Sequence, residues 1–106
     1  MTECDKRLHG IIPAIVTPIT RDGMLDLKLL KKQTKYLLDS GVQGLFICGG
    51  TGEGAYLKTE EKKQVLNTIK NIAGGSVFLC AALINSNTRA VIEEVKEIEV
   101  CEPDYI

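Results

Sequence analysis

Three times along the chain a short, almost wholly apolar run is followed by a longer segment in which apolar residues return every third or fourth position. The first run, IIPAIVTPI at residues 11–19, is rich in β-branched side chains. It predicts a strand buried on both faces that ends at Thr17-Pro18. After the turn TRDG, the stretch 25–41 places Leu27, Leu30, Thr34 and Leu37 at helical spacing, with Asp26 as N-cap and Gly41 as the glycine just past the end. Lys28, Lys31, Lys32 and Lys35 then fall on a solvated face.

The second unit repeats the scheme. GLFIC at residues 44–48 predicts another buried strand, and 59–75 a helix capped by Thr59, with Glu60 and Glu61 at its positive end. Val65, Leu66, Ile69 and Ile72 share one side of that helix, and Gly74-Gly75 stops it. In the third unit SVFLCAALI is the strand, and NTRAVIEEVKEIEV is a helix presenting Val91, Val95 and Ile98. PDYI, at 103–106, reads as a fourth strand just beginning.

Alternating apolar strands and amphipathic helices, in units of about 30 residues, mean right-handed βαβ crossovers. The fold class is therefore α/β with parallel strands. No low-complexity stretch or linker divides the chain, so residues 1–106 read as one unit. A bare apolar strand is an unusual way for a parallel sheet to finish.

Composition narrows the function. The chain has 106 residues, 44% apolar and 25% charged, with a formal net charge of −1. Interspersed charges leave no basic footprint for nucleic acid and no polybasic face for a membrane. The opening MTECDKRLHG lacks the apolar core of a secretory signal, and VFLCAALI is far short of the ~20 residues of a spanning helix, so a cytoplasmic location is expected. Cys4, Cys48, Cys80 and Cys101 form no metal-ligand spacing. Cys48 and Cys80 read as small buried strand residues, and with His9 the single histidine, no metal or other cofactor is expected.

The conspicuous chemistry is GLFICGGTGEGAYL, where an apolar run stops at a glycine cluster on the carboxyl side of a parallel strand. In α/β proteins ligands bind on that side. Glycines 49, 50, 52 and 54 could supply positive φ for a strand-to-helix turn, but four in six residues exceed what a turn needs. Gly50, Gly52 and Ala55 satisfy the dinucleotide pattern G-x-G-x-x-G/A, yet the helix opens only near Thr59 and the next strand ends in LINSN, without an acid for a ribose. The third possibility is an anion nest, in which consecutive amides and the Thr51 hydroxyl face one small carboxylate. No lysine lies in the loop to suit a polyphosphate.

With these residues in view the chain resembles the pyruvate-dependent class I aldolases typified by dihydrodipicolinate synthase and N-acetylneuraminate lyase. AIVTPITRDGMLD matches the first strand and turn, GLFICGGTGEGAYLKTEEK the glycine signature with its downstream Glu61, and NTRAVIEEVKEI the third helix. The resemblance implies a (β/α)8 TIM barrel, of which this chain is the first three and a half units, truncated within the fourth strand. It also implies a lyase that binds pyruvate or another 2-oxo acid as a Schiff base, usually as a homotetramer. By resemblance, Gly50 and Thr51 hold the carboxylate, and Gly49, Gly52 and Glu53 shape the loop.

The family usually has a second hydroxyl residue where this chain has Gly50, part of the synthases' proton relay. The Gly-Gly-Thr-Gly-Glu form points towards sugar-acid relatives such as N-acetylneuraminate lyase, 2-keto-3-deoxygluconate aldolase or 5-dehydro-4-deoxyglucarate dehydratase. The family's relay tyrosines and Schiff-base lysine belong to later strands. All ten lysines here lie in the leader, on helix faces or, for Lys58, before a helix, so no catalytic residue is expected in this chain and it should be inert alone. A non-enzymatic half-barrel that pairs through its strand edges with itself or a complementary fragment is the alternative.

Overall fold

The computed structural model describes residues 5–106, so Cys4 and the first residues of the leader lie outside the described residues. The elements follow in the predicted order: α1 (Leu27–Asp39), β1 (Gly44–Ile47), α2 (Thr59–Ala73), β2 (Phe78–Ala81) and α3 (Thr88–Ile98). Each helix starts where a carboxylate or amide oxygen meets a free backbone donor. Asp26 accepts from the Leu29 amide at 3.0 Å, and Asn87 from the Ala90 amide at 3.1 Å. At α2 the cap differs from the expectation. Lys58 is the residue with extended backbone, its amide donates to Glu61 at 2.9 Å, and Thr59 is already helical. Gly41 and Gly74, at φ 83° and 56°, end α1 and α2 as predicted.

β1 and β2 pair in parallel, with Gly44 opposite Phe78 and Ile47 opposite Ala81. Residues 11–15 flank β1, the Ile15 amide donating to the Phe46 carbonyl at 3.0 Å and the Phe46 amide to the Pro13 carbonyl at 2.9 Å. On the far side of β2, the Tyr105 amide donates to Leu79 at 3.0 Å and the Ala81 amide to Tyr105 at 2.8 Å. Four parallel segments thus lie side by side in chain order. The helices cover one face, where Leu45, Ile47, Val77, Leu79 and Ala81 pack in a core with Leu30, Val65, Leu66, Ile69 and Ile98. Each Val, Leu or Ile side chain among them, fully buried, is worth about 1.5–3 kcal/mol.

The other face is open, and this corrects two expectations. Residues 11–19 are not a strand buried on both faces: Ile15 and Thr17 are buried, but Ile11 is 69% and Val16 47% exposed. Strand pairing there is confined to a bridge at Ala14, since Pro13 and Pro18 offer no amide and Ile19 turns to bridge Leu25. Gln33 of α1 satisfies Val16 instead, accepting from its amide at 3.0 Å and donating to its carbonyl at 3.1 Å. β1 is buried except for Phe46, whose ring is 40% exposed on the open face.

β2 is buried throughout: Leu79 and Ala81 lie in the core under the helices, and on the other face a strap across the amino ends of the strands covers Phe78. Gln43 accepts from the Ile11 amide at 2.7 Å, and His9 lies against Phe78, ring centroids 5.9 Å apart. Lys6 donates to the Val77 carbonyl at 3.2 Å, and the Tyr105 hydroxyl donates to the Lys6 carbonyl at 2.6 Å. The Tyr105 ring meets Phe78 edge-on at 6.0 Å.

Candidate functional site

The glycine loop leaves the carboxyl end of β1, where the sequence predicts it, but the glycines have a different local reason. None of Gly49, Gly50, Gly52 and Gly54 has positive φ. The left-handed positions are Cys48 at φ 59°, just past the end of β1 rather than within it, and Glu53 at φ 53°. What three of the glycines supply is room. A Cβ on Gly49 would strike the Phe46 ring, one on Gly52 would stand 3.0 Å from both the Cys48 backbone and the Ile15 carbonyl oxygen, and one on Gly54 would run into the Cys48 carbonyl. Gly50 differs: it is exposed, and a Cβ there would meet nothing within 4 Å.

The loop is folded back on itself. The Glu53 amide donates to the Gly50 carbonyl and the Gly54 amide to the Gly49 carbonyl, each at 3.1 Å. The Thr17 hydroxyl, buried at the end of the first apolar run, donates to the Gly52 carbonyl at 2.7 Å. Residues 49, 52 and 53 therefore form the packed and bonded frame of the loop, the Glu53 side chain standing in solvent. Gly50 and Thr51 form its exposed crest, and among the described residues their amides have no acceptor. Two free amides beside a hydroxyl can receive one small anion.

Behind the loop lies a polar contact that helical periodicity alone leaves unassigned. Lys62 is 3% exposed, and its ammonium meets Glu94 Oε1 at 2.7 Å. The other oxygen, Oε2, accepts from the Thr59 hydroxyl at 2.8 Å. The signal is present in the sequence: Lys62 shares the apolar stripe of α2 with Val65, Leu66, Ile69 and Ala73. Burial pushes the Cys48 thiol up to about 11, the nearby Lys62 charge lowering it and Glu94 raising it. Burial, then Asp104, also raises the Cys80 thiol. Cys48, Cys80 and Cys101 are free and buried. Among the described residues no helix is long and apolar enough to cross a membrane.

Residues 7–100 match the model of the dihydrodipicolinate synthetase family. The chain is 38% identical over 90 residues to a 4-hydroxy-tetrahydrodipicolinate synthase of Anaeromyxobacter sp. (strain Fw109-5), covering 85% of this chain and 30% of that one. It is similar to the chloride-inhibited dihydrodipicolinate synthase of Acinetobacter baumannii solved in complex with pyruvate, at 33% identity and a TM-score of 0.83, over 89% of this chain and 32% of that one. N-acetylneuraminate lyase from Mycoplasma synoviae is also similar, at 33% identity and a TM-score of 0.77, over 89% of this chain and 32% of that one. The chain spans about a third of the length of these relatives, and its fold is correspondingly part of a (β/α)8 barrel.

Proposed function

Because this chain belongs to the dihydrodipicolinate synthetase family, we propose that it is the N-terminal part of a lyase that holds pyruvate as a Schiff base, and that it contributes the grip on the pyruvate carboxylate. Thr51 supplies its hydroxyl and amide, and Gly50 its amide. Gly49, Gly52 and Glu53 keep those donors in place. The observation that carries this reading is the exposed crest itself, with donors that have no acceptor among the described residues on a loop otherwise bonded and packed. Charge-assisted bonds from such donors suit a carboxylate.

The amine of the Schiff base lies outside this reading of the chain. β1 and β2 bear no lysine, and Lys62, the buried one, is held by Glu94 on the helical side of the sheet. Without a neutral amine there is no iminium to accept electrons, so the chain alone binds the 2-oxo acid and does not turn it over. Gly50, lacking the hydroxyl usual in the synthases, favours a sugar-acid lyase as the second reading. The same proposal puts the protein in the cytoplasm, as part of a homo-oligomer.

The test is a titration of the 15N-labelled chain with pyruvate, followed at the amide signals. Saturable shifts at Gly50 and Thr51 are expected, and Thr51→Ala should weaken binding by about tenfold or more, since a hydrogen bond to a charged group is worth ~1.5–3 kcal/mol. Borohydride added with pyruvate should trap no adduct. Equal affinity in Thr51→Ala would sink the assigned role, and a trapped adduct on any lysine would overturn the claim of inertness.

A further inference from the structure

We infer that Thr59, Lys62 and Glu94 are positioning residues for the glycine loop, forming a part-buried clamp on its exit that holds the crest at Gly50 and Thr51 in a binding-ready shape. This rests on the reading of that crest as a carboxylate site. Besides Leu57, which packs on the core and donates its amide to the Gly54 carbonyl at 3.2 Å, the loop is held at its entrance, middle and exit. At its entrance, the Gly54 amide bonds back to the Gly49 carbonyl and Gly54 packs on Cys48. At its middle, Thr17 holds the Gly52 carbonyl. At its exit, the chain enters α2 through Thr59, and the Thr59 hydroxyl and the Lys62 ammonium converge on the two oxygens of Glu94.

Glu94 belongs to α3, more than 30 positions away in sequence, so its carboxylate ties the first turn of α2 to a neighbouring helix. A surface pair could not do this work, because exposed ion pairs fluctuate and are screened. Here the Lys62 side chain is 4% and the Glu94 side chain 16% exposed, and both carboxylate oxygens are used. Replacing a buried ion pair by apolar residues of similar size often leaves stability unchanged. That separates fixing the fold from fixing the loop. Between α2 and α3 there are also an exposed bond from Lys63 to Glu97 at 3.4 Å and the burial of Ile98 in the shared core. Neither reaches the first residue of α2.

The test uses Lys62→Met/Glu94→Leu, with Thr59→Val and Thr59→Ser as lighter variants that keep the ion pair. Hydrogen exchange is measured without ligand at Glu53 and Gly54, whose amides are bonded within the loop, and at Phe46 and Ala81 in the sheet. A clamp predicts exchange about tenfold faster at Glu53 and Gly54 in the double variant and in Thr59→Val, with sheet amides unchanged and Thr59→Ser restoring the slow rate. Wild-type rates at Glu53 and Gly54 in the folded double variant, or in Thr59→Val if the double variant does not fold, would overturn the clamp. Pyruvate titration of the same proteins separates the two readings. No shift at Gly50 and Thr51 in the wild-type chain would refute the carboxylate site, whereas wild-type binding followed by loss in the variants would support both.

Discussion

Two substitutions of the same type in one loop should change stability in opposite directions. At Gly54, an alanine Cβ would fall within the van der Waals shell of the Cys48 carbonyl oxygen and 2.7 Å from its carbonyl carbon. The obstacle is backbone, so relief requires the loop to move. Overpacking of this kind costs about 1–3 kcal/mol, and displacing the Gly54 amide from the Gly49 carbonyl removes a bond worth another ~0.5–1.5 kcal/mol. At Gly50 nothing stands within 4 Å of the added methyl and φ is not positive. Gly50→Ala should therefore stabilise by about 0.4–1 kcal/mol through the lower entropy of the unfolded chain, a gain that Gly54→Ala shares and that its native-state strain outweighs. The two variants should differ by about 1.5–4.5 kcal/mol in urea unfolding, with Gly54→Ala the weaker. Near-equal midpoints would refute the reasoning, and would mean that the loop yields at Gly54 without cost.

Two further outcomes follow from single side chains. Thr17→Val leaves the Gly52 carbonyl without its 2.7 Å partner and should cost about 1–3 kcal/mol, with Thr17→Ser recovering most of it; unchanged urea stability in the valine variant would count against the contact. Cys48 sets a pH dependence: its thiol is raised from 9.0 to about 11, so the unfolded chain loses the proton first and stability falls as pH climbs from 9 to 11, by about 2–3 kcal/mol from this group. Cys48→Ala should flatten that decline, and an equally steep loss in the variant would show that other groups cause it.

The helices were legible because their signals are local. A 3.6-residue apolar period, Asp26 before α1 and Gly74 after α2 depend on a few neighbouring residues, and the structure has them in those roles. The strands were legible only by position. Apolar runs at 11–19 and 44–48 give no sign of which face is covered, and Val16 and Phe46 are open where burial on both faces was expected. The loop shows the same division. Its place after β1 follows from the order of elements, whereas the reason for each glycine depends on what lies opposite it in space: the Phe46 ring, the Ile15 carbonyl or the Cys48 backbone. Lys62 was hidden for a related reason, since a charged residue on an apolar stripe reads as solvated until its partner, 32 residues on, is known.

The strap beneath the strands carries a consequence for the order of folding. Its bond from the Tyr105 hydroxyl to the Lys6 carbonyl joins positions 99 residues apart, while the neighbouring bond from Lys6 to Asp104 spans 98. Closing so long a loop early would cost several kcal/mol of chain entropy, roughly (3/2)RT ln n, before other contacts could offset it. The βα units, whose contacts are nearer in sequence, can assemble first and shorten the path between the two positions. Residues 6 and 105 therefore meet late, on strands already aligned, and the seal over Phe78 follows assembly of these βα units rather than nucleating it.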